Sequence, residues 1–297
     1  MELLMRVEKL NELKNNSKRI TFNNDSKIVF FSDCHRGDGT YKDSLAPNIN
    51  IYLTALRYYY KNKFTYIEVG DGDELWKFKN LQEIYDMNHD VYEVLDDFKE
   101  KKKLYMIYGN HDKDKSKIKF LRKSKKRNRR NHSACDFYST LPIYESLVLV
   151  HEESKRDFFI LHGHQVDFLN NELAFLSKFL VRYVWAILEA FMGFKDPISP
   201  AKSDNKRDKF DEKIINWAEE NNTRVVLGHT HKTLFPRSKR DSTYFNIGCC
   251  VLPRTVTAIE VERGEIALVK WTIKVDQKGS LFIGRDIIGG PTKIENY

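Results

Sequence analysis

Leu104-Tyr105-Met106-Ile107-Tyr108-Gly109-Asn110-His111-Asp112 is an apolar run that stops on glycine and then delivers an amide, an imidazole and a carboxylate in succession. The run reads as a buried strand. α/β folds place their chemistry where such strands open to solvent. Gly-Asn alone is a common turn pair, so the weight comes from repetition. Ile28 to Phe31 leads to Asp33-Cys34-His35, and Tyr66 to Val69 leads to Gly70-Asp71-Gly72-Asp73-Glu74. Val225 to Leu227 leads to Gly228-His229-Thr230-His231, and Phe158 to Leu161 ends at His162-Gly163-His164.

Working outward, the pattern predicts strands over 27–32, 64–69 and 104–108, with helices over 48–61 and 81–102 between them. The second helix carries Leu81, Ile84, Tyr85, Val91, Val94, Leu95 and Phe98 at helical spacing. This β-α-β-α-β order implies right-handed crossovers and a parallel sheet. Residues 1–15 read as a short amphipathic helix. Leu147–Val150 and Phe158–Leu161 read as strands around a turn at 152–156. Alternation in Thr255-Val256-Thr257-Ala258-Ile259-Glu260 marks a strand. Together with 243–247 and 265–275 it predicts a second, mostly antiparallel sheet closing the fold.

Residues 168–222 read as a lid-like helical insertion within a single domain spanning 1–297. Its 173–194 part has a wide apolar face, with Lys178, Arg182 and Glu189 on one stripe. Those charges argue against a span, which needs ~20 apolar residues with few charges. A core or dimer helix is one reading. The other is a lid, or a peripheral membrane contact through Phe175, Phe179, Trp185 and Phe191. Asp204 to Glu220 reads as a second helix, carrying Trp217.

Hydrophobic content of 41% with 31% charged residues is ordinary for a globular chain. Much of the +8 net charge falls in 113–130, which favours anionic partners. That stretch reads as a solvated helix and loop, or as an arm facing phosphates or nucleic acid. Few aromatics are interleaved, so base stacking is not indicated and nucleic acid is not the favoured partner. Cys34, Cys135, Cys249 and Cys250 have no zinc-site or C-x-x-C spacing, which reads as reduced thiols in a cytoplasmic protein. Residues 1–15 lack the uninterrupted apolar segment of a signal peptide.

Asp33 and His35 are two apart on an extended segment, so both face one side and Cys34 packs away. His229 and His231 repeat that spacing. Asp71 and Asn110 offer oxygens and His162 a nitrogen. Carboxylate, amide and imidazole without thiolate suit a borderline-hard divalent metal, Mn²⁺ first, with Fe or Zn²⁺ as alternatives. The set Asp33, His35, Asp71, Asn110, His162, His229 and His231 exceeds one tetrahedral ion and fits two if a carboxylate bridges. Two such ions ~3.5–4 Å apart bind a phosphoryl group and generate a hydroxide between them. His89, His132 and His151 read as ordinary structural or surface histidines.

Taken together, Asp33-x-His35, Gly70-Asp71-x-x-Glu74, Gly109-Asn110-His111-Asp112, His162-Gly163-His164 and Gly228-His229-x-His231 resemble the calcineurin-like metallophosphoesterases, over roughly 27–260. The resemblance implies a four-layer α/β/β/α sandwich with a dinuclear site at the strand ends. It implies Asp33, His35 and His231 on one metal, Asn110, His162 and His229 on the other, and Asp71 bridging. The bridging hydroxide would attack phosphorus in line. His111 would be the non-ligand histidine that serves the leaving oxygen, with Glu74 orienting it and Asp73 as the competing partner. His164 would stand behind the ligands.

H-G-x, a helical insertion and then G-H-T-H is similar to the UDP-2,3-diacylglucosamine pyrophosphohydrolases, whose inserted helices clamp acyl chains. Glu74 matches that branch. His111, where the branch carries arginine, and the basic stretch after Asp112 depart from it. The implied partner is a phosphorylated small-molecule or lipid-linked substrate. The alternatives are a phosphoprotein, or a metal-free scaffold of the same fold.

Overall fold

The computed structural model describes residues 2–128, 131–166, 204–236 and 243–297. The 173–194 stretch, with Phe175, Phe179, Trp185 and Phe191, therefore lies outside the described residues, as does most of the 168–222 insertion.

Two sheets are stacked and flanked by helices. The larger contains β2 (Ile28–Phe31), β3 (Thr65–Val69), β4 (Leu104–Ile107), β5 (Ile143–Tyr144), β10 (Thr255–Glu262), β11 (Glu265–Val275) and β12 (Leu281–Lys293), in the order β12-β11-β10-β2-β3-β4-β5. The smaller contains β1 (Lys18–Phe22), β6 (Ser146–His151), β7 (Asp157–Leu161), β8 (Arg224–Leu227) and β9 (Tyr244–Asn246), in the order β1-β6-β7-β8-β9.

Alternation along the strands builds three cores. In β2, Ile28 and Phe30 face the other sheet, where they meet Leu147, Ile160 and Phe245. Val29 and Phe31 face outward, toward α2 (Ile49–Lys61) and α4 (His89–Glu100). On the far side, α1 (Glu2–Asn16) and α7 (Asp204–Glu220) contribute Leu10, Ile214 and Trp217 against Phe159 and Val225. Three apolar seams define the layers α/β/β/α. Because β2 is buried on both faces, its sequence is continuously apolar.

Three expectations are corrected. The helix over 81–102 is two, α3 (Leu81–Met87) and α4, broken at Asn88. The Asn88 side chain donates to Gly37 O (2.8 Å) and Ile84 O (2.9 Å) and holds the break against the loop after β2. The strands after 254 form no second antiparallel sheet. β10 pairs antiparallel with β2, with Ile259 opposite Phe30, and so extends the first sheet. The second sheet is mostly parallel and is begun by β1, a short strand that puts only Ile20 and Phe22 into the core. Finally, 113–130 is not simply solvated. It forms a short turn and α5 (Ile118–Arg127), followed by α6 (Ser133–Ser139), and Lys115 is fully buried.

Lys115 belongs to an ion network sealed under the ends of β2, β3 and β4. Arg36 clamps Glu68 at 2.6 and 2.9 Å and bonds Asp73 at 2.8 Å. Lys115 lies 2.6 Å from Asp112 and 3.3 Å from both Glu68 and Asp73. Tyr92 and Tyr138 also donate to Asp73. Burial alone would lift the Glu68 and Asp73 carboxyls; Arg36 and then Lys115 outweigh it and hold both below their ordinary values.

Arg36→Met leaves two buried carboxylates short of a partner. It is expected to cost roughly 3–5 kcal/mol, read as a lower denaturation midpoint. Both folded carboxyls titrate below their unfolded values, so the unfolded chain takes up protons first. Their contribution to stability is therefore full above about pH 4.5 and falls as the pH drops below it. Arg36→Met should flatten that acid limb.

Candidate metal centre

Main-chain bonds zip the loops that leave β2 and β3 to each other, and likewise those that leave β7 and β8. Asp33 N donates to Gly70 O (3.1 Å), His35 N to Asp71 O (2.9 Å), and Gly228 N to His162 O (3.2 Å). Asp33, His35, Asp71, His229 and His231 all take φ between 48 and 67°, a left-handed backbone that costs a non-glycine residue energy. The pairs Asp33/His35 and His229/His231 do turn to one side. They do so through alternating left-handed residues beyond the strand end, rather than through an extended segment. Cys34 packs away, its Sγ 3.4 Å from that of Cys250. All four cysteines are free thiols. The approach is close: a Cβ at Gly109 would strike the Asp71 carboxylate.

Asp33, His35 and His231 offer ligand atoms within 4.8 Å of one another, and so do Asp71, His162 and His229. Within the first group Asp33 Oδ1 lies 3.1 Å from His231 Nε2, and His35 Nε2 lies 3.3 Å from His231 Nε2. Within the second, Asp71 Oδ2 is 3.1 Å from His162 Nε2. The groups touch, since Asp33 Oδ1 is also 4.0 Å from His162 Nε2. Asp71 reaches both, because it forms a third group with His35 and His111.

The outer atoms of these side chains are already committed. His162 Nδ1 donates to Val69 O (2.8 Å), and His35 Nδ1 meets Glu74 Oε2 (3.0 Å). Asp33 Oδ2 accepts from Ser32 Oγ (2.6 Å) and His229 N (2.8 Å). Anchoring one nitrogen fixes the tautomer and leaves Nε2 facing the cluster.

Asn110 Oδ1 is buried without a hydrogen-bond partner, while Asp33 Oδ1 and His162 Nε2 face His231 and Asp71 only in ion-pair contact, without hydrogen-bond geometry. Buried polar atoms normally have partners. Inward lone pairs on carboxylate, amide and imidazole, with no thiolate, fit divalent cations of borderline hardness. Burial would raise the Asp33 carboxyl, but the His231 and His162 imidazoles hold it well below its usual range. Burial would lower His162, yet Asp71 and Asp33 push it up to about 9. The cluster's carboxylates are therefore held ionised, and they favour positive charge on the imidazoles beside them.

His111 stands at the rim, its Nε2 4.0 Å from Asp71 Oδ2 and its Nδ1 2.8 Å from Glu74 Oε1. Glu74, not Asp73, is its partner; Asp73 is turned into the Arg36 network. The Glu74 carboxylate is shared, one oxygen on His111 and the other on His35. His164 is buried behind His162, with neither ring nitrogen partnered. Burial, with His162 and His229 adding to it, keeps it well below the usual histidine range. His89 is exposed beside Glu93, and His151 bonds Ser154.

Sequence reasoning missed Trp76, whose indole stacks on the His111 ring at 4.0 Å and 21° and donates to Asn110 O at 2.7 Å. It also missed the ion network. Glu68 in the middle of an apolar strand was the one available signal; Lys115 gave none.

An α/β/β/α sandwich that gathers carboxylates and imidazoles at its strand ends has the form of a metal-dependent phosphoesterase. Residues 26–233 match the model of the calcineurin-like phosphoesterase family, and the chain belongs to that family. Comparison with curated proteins gives no match. Among solved structures, Vps29 of Chaetomium thermophilum is similar at 11% identity over 89% of this chain and 95% of that one, with a TM-score of 0.38. The cold-active protein-tyrosine phosphatase of a psychrophilic Shewanella species is similar at 12% identity over 90% and 83%, with a TM-score of 0.39. At TM-scores this low, neither likeness bears on activity.

Adding Mn²⁺ to chelator-treated protein is expected to raise its melting temperature, because a ligand of the folded state stabilises it. Gly109→Ala, which drives a methyl into Asp71, should abolish that rise while leaving the circular dichroism spectrum unchanged.

Proposed function

We infer that the protein is a dinuclear metal-dependent phosphoesterase acting on a phosphate ester or pyrophosphate. The observation that carries this reading is the pair of touching donor groups, with buried oxygen and nitrogen lone pairs converging on one space. Asp33, His35 and His231 would hold one cation and Asn110, His162 and His229 the other, with Asp71 shared. When bound, two divalent cations supply Lewis-acid neutralisation of the phosphoryl oxygens and a water of lowered pKa. Manganese is the first choice because the donors are oxygen and imidazole.

The chain's own residues do the rest. The β2, β3, β4 and β8 loops orient the donors before substrate arrives. Glu74 anchors His111 Nδ1, so Nε2 faces the cluster and can deliver a proton to the departing oxygen or stabilise charge on the phosphoryl group. Trp76 covers the ring's face, limiting its rotation and keeping water from that side.

The substrate we favour is a nucleotide-linked or partly apolar phosphodiester or pyrophosphate. Support comes from the H-G-x … G-H-T-H arrangement around α7, which resembles the UDP-2,3-diacylglucosamine branch, and from the apolar composition of 173–194. A phosphoprotein is the second choice.

Asp71→Ala or His229→Ala is expected to abolish Mn²⁺-dependent hydrolysis of p-nitrophenyl phosphate and its bis ester while the chain stays folded. Full residual activity in either variant would defeat the assignment. His111→Ala should lose about 10²–10⁴-fold in kcat on an alkyl phosphoester. It should lose far less on p-nitrophenyl esters, whose leaving group needs little protonation.

A further inference from the structure

No catalytic role absorbs α5. Six of its ten residues are Lys or Arg, and no Asp or Glu occurs from Lys115 to Cys135. Lys125 pairs with Asp136 on α6 at 3.0 Å. Lys119, Arg122, Lys123, Lys126 and Arg127 are exposed, with no carboxylate partner among the described residues. Lys119–Lys123, Arg122–Lys126 and Lys123–Arg127 are like-charge pairs at i,i+4, which oppose the helix. What holds α5 is packing: Leu121 is buried in the outer core, and Lys115 at its foot is locked into the ion network. The repulsion is fixed in place and can be relieved only by an anion from outside.

The arrangement also limits the anion's shape. At 3.6 residues per turn the cations cover an arc of about 200°, while Phe120, Leu121 and Ser124 face the protein. A hollow lies on each flank. One, of about 340 Å³, has Lys79, Lys123 and Arg127 over Leu75, Phe78 and Phe120. The other, of about 420 Å³, has Arg122 and Lys125 above Leu141, with Asp136 held by Lys125 at its wall. A planar lipid surface would meet a single stripe of such a ridge. A flexible chain of phosphodiesters can follow the crest and enter both hollows.

We propose that α5 and its two flanking hollows form a binding surface for single-stranded nucleic acid, read through its phosphates and independent of sequence. Exposed aromatic side chains are absent from α5, so no base-stacking platform adds selectivity. None of the cations on this surface is a candidate metal ligand, and the proposal does not depend on the phosphoesterase reading.

The test is fluorescence anisotropy of the full-length protein with a labelled oligothymidine, in EDTA so that no turnover contributes, across a salt series. Five phosphate contacts give a log–log salt slope of about −3.5. Arg122→Gln/Lys123→Gln/Lys126→Gln/Arg127→Gln is expected to lose about tenfold or more in affinity, with the slope falling toward about −0.7. A control with the same charge change, Lys9→Gln/Lys61→Gln/Lys101→Gln/Lys278→Gln, should retain the wild-type slope. Unchanged circular dichroism and p-nitrophenyl phosphate hydrolysis would show that the α5 variant is folded. Equal losses in the two variants would reduce the effect to net charge and overturn the proposal. So would wild-type protein that ignores the oligonucleotide at low salt. Phosphatidylcholine–phosphatidylserine vesicles or polyglutamate bound as tightly as the oligonucleotide, and released by the same α5 substitutions, would assign the surface to a membrane or an acidic protein instead.

Discussion

Sealed beneath the metal centre, one guanidinium and one ammonium hold three strand ends in register. Arg36 follows β2, Glu68 and Asp73 belong to β3 and its loop, and Asp112 and Lys115 follow β4. Asp112 also accepts Gly72 N (2.9 Å) and Gly109 N (2.7 Å), so the glycines that frame Asp71 hang from one carboxylate. Isolated buried ion pairs are weak evidence for stability. Here the group has a second consequence: the loops that carry the donors are fixed from behind.

That fixing explains the backbone at the centre. Five candidate ligands in left-handed conformation would relax if their loops were free, because each such residue is strained. The zipper of Asp33 N to Gly70 O and His35 N to Asp71 O does not allow it. Strain and inward-facing lone pairs therefore occur at the same positions. Both are the expected cost of arranging donors before their cations arrive.

The same chain segment serves two ends. Lys113 to Arg127 begins immediately after His111 and Asp112. Its first buried cation, Lys115, completes the support under the centre, while its later cations crowd the solvent face of α5. A run that looks uniform in sequence is divided by burial, since a lysine can be sealed only where carboxylates already wait for it.

Local patterning was enough to read much of this molecule. Apolar runs ending in Asp, Asn and His marked β2, β3, β4, β7 and β8, and the spacing of those ends gave the family. Glu74 meets His111 while Asp73 turns into the Arg36 network. Folding alone decided what depends on distant partners: the break at Asn88, the attachment of β10 to β2, the pairing of β1 with β6, the stacking of Trp76 and the burial of Lys115. Periodicity reports which face of an element is apolar. It does not report which remote carbonyl, carboxylate or strand edge will meet that element, because those pairings are settled only when the layers close.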